Sequence, residues 1–186
     1  MLLFKSESSI LDYAFTSISC SKFSKVAYAF ENRGIKKYNH HVKGAAGMKN
    51  KTILFLSPFN HLSMMAEGWA VKLNEPSWKV ISAACKNADH DALPVKAMKE
   101  VNIDIESKTP HSLKPQLMNE ADIVVAIYDF QRDSMPALLD KSDQKVLRWN
   151  ISNPVHYDHL TDRWAAYQEV CDELAIKIQE LQKQLI

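Results

Sequence analysis

The sequence predicts an α/β domain, with a parallel sheet flanked by helices and an extension at the N-terminus. Short apolar runs alternate along the chain with segments whose apolar residues recur every three or four positions. Such alternation is typical of a doubly wound sheet with right-handed crossovers. The 186 residues are 46% hydrophobic and 24% charged, values typical of a globular protein that exclude a wholly disordered chain.

Four strands are predicted from short apolar runs of the kind that buried parallel strands contain. They cover residues 52–56, 78–83, 121–127 and 145–149. Ligands of parallel sheets bind beyond the carboxyl ends of the strands. The loops that follow these four strands are therefore the expected place for a functional site.

The predicted helices lie between and after the strands. Residues 62–73 have helical spacing, and Pro94 suits the first turn of a helix whose apolar face reaches Val101. Residues 111–119 are predicted as a short helix. A long C-terminal helix is expected to start near Thr161 as its N-cap, because apolar residues follow it in steps of three and four.

Charge and glycine content divide the chain near residue 47. Residues 1–50 hold eight Lys/Arg against three Asp/Glu, and three of the four glycines also lie there. We therefore expect a basic extension over residues 1–47, disordered or partly helical, and a domain over residues 48–186. Two interpretations of the extension stay open: an accessory arm that docks on an acidic surface, or a segment upstream of a natural start at Met48.

Composition also excludes several functional classes. A net charge of +1 argues against nucleic-acid binding, and no apolar run reaches the roughly 18 residues of a membrane-spanning helix. Three cysteines without a CxxC motif predict a reducing, cytoplasmic compartment. His156 and His159 lie close together, but a zinc site needs three or four ligands, so no metal or cofactor is predicted.

Five segments carry a family resemblance. Residues 53–68 resemble the first strand, phosphate loop and first helix of low-molecular-weight tyrosine phosphatases, and resemble still more closely their relatives, the thioredoxin-coupled arsenate reductases. The family pattern there is Cys-x5-Arg-Ser and then x-Met-Ala-Glu-Gly, of which Ser63 and the run up to Gly68 match the end. Residues 81–84 resemble the family's Ser-Ala-Gly, and residues 93–104 resemble its next helix with a Gly-Ile-Asp turn. Residues 128–136 match its Cys-Asp-x4-Ser-Cys-Pro in spacing, and residues 149–154 resemble its Trp-x3-Asp-Pro.

The resemblance covers about residues 51–183 and implies a four-stranded sheet of order 2-1-3-4. It also implies where the family's nucleophile and oxyanion clamp belong. The position of the nucleophilic thiolate holds Ser57 if Asn60 is aligned with the family's loop asparagine, or Leu56 if no gap is allowed. Leu62 occupies the position of the arginine that clamps the oxyanion.

The remaining catalytic positions are replaced as well. Tyr128 and Met135 stand where the reductases carry two resolving cysteines, and neither can take part in thiol exchange. Asn153 stands in place of the general-acid aspartate, and its amide cannot donate a proton as a carboxylic acid does. The resemblance therefore implies a degenerate phosphate loop and a catalytically inactive member of the family.

Binding is the function that such a chain retains. Free backbone N–H groups at the start of a helix favour an anion, and Ser57, Asn60, His61 and Ser63 are the candidate ligands for phosphate, sulfate or arsenate. The alternative is a collapsed loop in which residues 58–59 fill the former pocket. The favoured hypothesis is an inactive protein that binds a protein partner or a small oxyanion.

A second hypothesis is an enzyme of weak or altered chemistry. It would use Ser57, His61 or Cys85. Neither hypothesis predicts an oligomeric state.

Overall fold

Helices and parallel strands alternate as the sequence predicts. The computed structural model describes residues 50–86, 91–108, 111–140 and 144–185, so the predicted extension lies outside the described residues. The strands are β1 (Lys51–Phe59), β2 (Trp78–Lys86), β3 (His111–Ser112), β4 (Ile123–Tyr128) and β5 (Lys145–Asn150). The helices are α1 (Asn60–Leu73), α2 (Leu93–Glu100), α3 (Pro115–Glu120) and α4 (Leu160–Leu185), with a short 3₁₀ turn at Pro154–His156.

The sheet is parallel throughout, with the order β3-β2-β1-β4-β5. The four long strands follow the order implied by the family resemblance. The predicted number of four strands is wrong by one, because β3 adds a fifth strand at the edge.

The predicted helix over 111–119 is wrong in its first part for the same reason. His111 and Ser112 pair with β2, and the N–H of Leu113 donates to the carbonyl of Ala84 at 2.9 Å. The helix begins only at Pro115, since proline suits a first turn and forces Lys114 before it into an extended conformation.

Burial is greatest in the two central strands. Ile53–Leu56 of β1 are completely buried. In β4, no residue has more than 4% of its surface exposed. Helices α1, α2 and α4 pack together on one face, and α3 packs on the other with Met118. Coverage on both faces explains why the central strands are continuous apolar runs. None of the helices in the described part of the chain combines the length and the hydrophobicity of a membrane span.

Two backbone features shape the helix that follows β1. A Cβ atom at Gly68 would lie 2.9 Å from Cγ2 of Ile103 and 3.0 Å from Cγ2 of Ile105, so glycine allows α1 to approach the segment after α2. That segment turns at Asn102, whose φ of 56° is left-handed, at the position of the glycine in the family's Gly-Ile-Asp turn. Asparagine is one of the few residues that adopt this conformation at low cost.

The long C-terminal helix begins slightly earlier than expected. Helix α4 starts at Leu160, so Thr161 lies in its first turn and is not the N-cap. The predicted apolar face is present, and it buries Trp164, Tyr167, Leu174 and Ile178.

Candidate functional site

The carboxyl end of β1 passes directly into helix α1. Ser57 and Phe59 are still paired with β2, and Phe59 is extended (φ −120°, ψ 157°) before the helix begins at Asn60. The predicted loop over 57–63 is therefore strand up to Phe59 and helix from Asn60. An anion cradle needs successive N–H groups that converge on one point, whereas the N–H groups of an extended strand point alternately to its two sides.

The hydroxyl of Ser57 is used twice inside the protein. Its side chain is completely buried, and its O–H donates to the carbonyl of Phe59. Its oxygen accepts the N–H of Ser63 at 3.1 Å. The Ser63 hydroxyl in turn donates to the carbonyl of Asn60 at 3.1 Å. Ser57 and Ser63 are thus brought together, as parts of the connection between strand and helix.

His61 lies close to helix α4. Its Nδ1 lies 3.0 Å from the Tyr167 hydroxyl, and the two rings meet edge to face with centroids 6.0 Å apart. Both side chains are buried. Burial and then the Asp91 carboxylate raise the pKa of Tyr167, so the phenol keeps its proton. This contact joins the start of α1 to α4.

Leu62 is also buried, with 1% of its surface exposed. Leu56, the alternative position for the nucleophile, is completely buried. Neither side chain carries a polar group. The two positions matched to the resolving cysteines differ in environment, because Tyr128 is fully buried and Met135 is 39% exposed.

Tyr128 contacts the one exposed thiol among the described residues. Its hydroxyl lies 3.3 Å from Sγ of Cys85, which stands near the carboxyl end of β2. Burial and then the hydrogen bond to Cys85 raise the pKa of Tyr128, so the phenol stays protonated. Cys171, the other described thiol, is buried in α4.

Sequence reasoning missed Asp133, which collects the polar side chains at the carboxyl edge. Its carboxylate is 3% exposed and accepts the N–H of Asp129 at 3.0 Å. It also accepts Nδ2 of Asn153 at 3.2 Å and lies 2.8 Å from Nε2 of His156. Asn153 is itself buried, and its Oδ1 accepts the N–H of Val155 to cap the 3₁₀ turn.

These contacts, defined here as the Asp133 cluster, fasten the loop after β4 to the loop after β5. His156 thus serves as a hydrogen-bonding partner of the cluster. No group of three or more His, Cys, Asp or Glu side chains suited to a metal occurs among the described residues.

A second polar contact joins the segments that carry the family motifs. The Ser82 hydroxyl of β2 donates to Oε2 of Glu67 in α1 at 2.5 Å. Lys108 donates to Oε1 of the same carboxylate at 2.6 Å, and all three groups are largely buried. Glu67 and Ser82 belong to the Met-Ala-Glu-Gly and Ser-Ala-Gly segments, so this contact supports the scaffold of the site.

Comparison with known proteins identifies relatives of this scaffold. The family model of the low molecular weight phosphotyrosine protein phosphatase matches residues 52–186. An arsenate reductase of Bacillus subtilis (strain 168) is 35% identical over 135 residues, which are 72% of this chain and 96% of that protein. Arsenate reductase 1 of Staphylococcus haemolyticus is 31% identical over 140 residues, which are 75% of this chain and all of that protein.

Solved structures share the fold. An arsenate reductase in the phosphate-binding state superposes with a TM-score of 0.59 at 19% identity, covering 73% of this chain and 99% of its own. The YwlE arginine phosphatase of Geobacillus stearothermophilus has a TM-score of 0.61 at 21% identity. The match covers 73% of this chain and 92% of that phosphatase. With the parallel sheet, the strand order and the ordered motifs, these matches show that the chain belongs to the low molecular weight phosphotyrosine protein phosphatase family.

Proposed function

We propose that this chain is a non-catalytic member of its family, which binds a protein partner or a small oxyanion without transforming it. The main support is the environment of Ser57. A serine nucleophile needs a base to accept its proton, and this hydroxyl is buried and donates to a backbone carbonyl. The same hydroxyl oxygen accepts the N–H of Ser63 in the first turn of α1.

The other matched positions support the proposal independently. Leu62 offers no donor for an oxyanion, and the amide of Asn153 is engaged with Asp133. Tyr128 and Met135 have no thiol. Catalytic groups act as a unit, so the loss of nucleophile, clamp and acid together leaves at most a small residue of the family's turnover.

The decisive experiment measures turnover of the full chain. Phosphatase activity with p-nitrophenyl phosphate, and arsenate reduction with a thiol reductant, are compared with those of the Bacillus subtilis relative. We expect rates lower by on the order of 10⁴-fold or more. Rates comparable with the relative's would contradict the proposal, and their loss in Ser57→Ala or Cys85→Ala would locate the nucleophile.

The ligand is tested separately by thermal unfolding with phosphate, sulfate and arsenate. A ligand of the folded state at a hundred times its Kd stabilises by about 2.7 kcal/mol, which raises Tm by several degrees. Anion-specific stabilisation at millimolar concentration, with chloride as the control, supports an oxyanion ligand. An unchanged Tm leaves the protein partner as the ligand. We propose that the protein acts in the reducing cytoplasm, in accord with the free thiols of Cys85 and Cys171.

The alternative function is an enzyme of altered chemistry, and Cys85 is the observation that favours it. This thiol is exposed at the carboxyl edge of the sheet and contacts the Tyr128 hydroxyl. Turnover that disappears in Cys85→Ala but persists in Ser57→Ala would establish this alternative.

A further inference from the structure

The loop after β4 exposes large apolar side chains. Phe130 is 45% exposed and Met135 is 39% exposed, and they lie on either side of Arg132 in the segment 129–136. Exposed phenylalanine and methionine cost free energy in water and are enriched at protein interfaces. This segment, called the 129–136 loop below, therefore has the composition of a contact surface.

Arg132 adds a cation that lacks a carboxylate partner among the described residues. Its guanidinium lies 5.6 Å from the centre of the Tyr157 ring. A cation–π contact of this kind restrains the guanidinium, and its N–H donors remain able to bind a carboxylate in bidentate fashion. Arginine and aromatic residues are also the types most often found at the energetic centre of protein interfaces.

The 129–136 loop is ordered before any partner arrives. The carbonyl of Asp129 accepts the N–H groups of Arg132 and Asp133, at 3.2 and 2.7 Å. The N–H of Phe130 donates to Oδ1 of Asn150 at 3.0 Å, and the Asp133 cluster holds the middle of the loop. A partner therefore does not bear the entropy cost of ordering this loop.

We propose that the 129–136 loop is a docking surface for a protein segment that carries an aspartate or glutamate beside an apolar side chain. The carboxylate pairs with Arg132, and the apolar group packs on Phe130 or Met135. A protein is favoured over a nucleic acid because the loop offers a single unpaired cation, whereas nucleic-acid binding depends on several phosphate contacts. The proposal rests on the binding function proposed above and adds its location and the chemistry of the partner.

The test is a selection of random peptides by phage display on the immobilised full chain. We expect enriched peptides to combine Asp or Glu with a neighbouring apolar or aromatic residue. As synthetic fluorescent peptides they should bind Phe130→Ala and Arg132→Gln at least about tenfold more weakly than the original protein, the loss expected when an interface centre is removed. Arg132→Lys keeps the charge but loses the planar fork, so it should give a smaller loss.

Matched controls are exposed residues elsewhere on the domain. Val71→Ala removes an apolar group that is 53% exposed on α1, and Lys79→Gln removes an exposed cation on β2. Both should leave the affinity within about twofold, since surface substitutions outside an interface have small effects. Far-ultraviolet circular dichroism and Tm confirm that each variant is folded.

Several outcomes would overturn the docking surface. They are the absence of any enriched peptide, peptides without an acidic residue, equal binding by all variants, and binding of a poly-dT oligonucleotide that Arg132→Gln abolishes. Turnover is measured on the same proteins. Turnover at the rate of the Bacillus subtilis relative would contradict the non-catalytic function, whereas weaker peptide binding by Arg132→Gln would still support the docking surface. The two failures can therefore be told apart.

Discussion

The backbone N–H of Ser63 donates to the hydroxyl oxygen of Ser57 across 3.1 Å, and both residues are completely buried. Ser57, one of the two residues that the alignments match to the family's nucleophile position, thus satisfies a donor at the start of α1. A side chain with this role stabilises the fold, and its effect is measurable without knowledge of a substrate.

Ser57→Ala should lower the free energy of unfolding by about 1–2 kcal/mol, because it leaves the Ser63 N–H without its acceptor in a buried place. Urea unfolding measures the loss. Ser134→Ala is the matched control, since Ser134 is exposed in the loop after β4, and it should change stability by less than about 0.5 kcal/mol. Equal stability of Ser57→Ala and the original protein would contradict the structural role.

Gly68→Ala should destabilise the protein even though alanine is the better helix former. The new methyl group would lie 2.9 and 3.0 Å from Cγ2 atoms of Ile103 and Ile105, which are buried and rigidly attached to their Cβ atoms. Overpacking of about 1–3 kcal/mol exceeds the gain of about 1 kcal/mol in helix propensity. The urea midpoint should fall, while Val71→Ala on the exposed side of α1 should leave it nearly unchanged.

Asp133→Ala should be among the most destabilising changes at the carboxyl edge. It leaves the Asp129 N–H, the Asn153 amide and Nε2 of His156 without an acceptor, and the loss of a buried carboxylate partner costs about 3 kcal/mol or more. Hydrogen exchange should become faster in both joined loops. Asp140→Asn, which breaks the exposed pair with Arg148 at 2.9 Å, should cost below about 1 kcal/mol. A similar effect of the two variants would contradict the Asp133 cluster.

The two described cysteines should react very differently with iodoacetamide. Burial raises the pKa of Cys171 to about 12, so it stays protonated and shielded in the folded protein. Cys85 is exposed. Peptide mapping by mass spectrometry should find Cys85 modified at pH 8 and Cys171 modified only after unfolding. Labelling of both at equal rates would contradict the burial of Cys171.

The raised pKa of Cys171 also predicts an alkaline loss of stability. The thiol ionises near pH 8.5 in the unfolded chain and near pH 12 in the folded protein. Between these values the folded state binds one more proton, so the stability present below pH 8.5 declines as pH rises. Urea unfolding from pH 7 to 10 should show this decline, and Cys171→Ala should show a shallower one. Parallel declines would indicate that other groups cause it.

Much of the architecture could be predicted because its information is local. The two central strands hold contiguous apolar runs, and α4 repeats its apolar positions over seven turns. The two residues of β3 carry no periodic signal, and they become a strand only because β2 offers free backbone groups beside them. The end of β1 could not be predicted for the same reason, because pairing with β2 keeps Phe59 extended where a loop is expected.

The features of the candidate site can also be separated into those that local sequence predicts and those that depend on contacts between distant segments. The parallel α/β fold and the family motifs could be predicted from the sequence, since these depend on residue identity and on short spacings. The folded structure is needed to see that Ser57 accepts the Ser63 N–H, that His61 contacts Tyr167 and that Asp133 bonds to Asn153 and His156. The physical reason is that hydrogen bonds depend on distances of about 3 Å, and those between groups up to 106 positions apart arise only when packing of the core brings distant segments together.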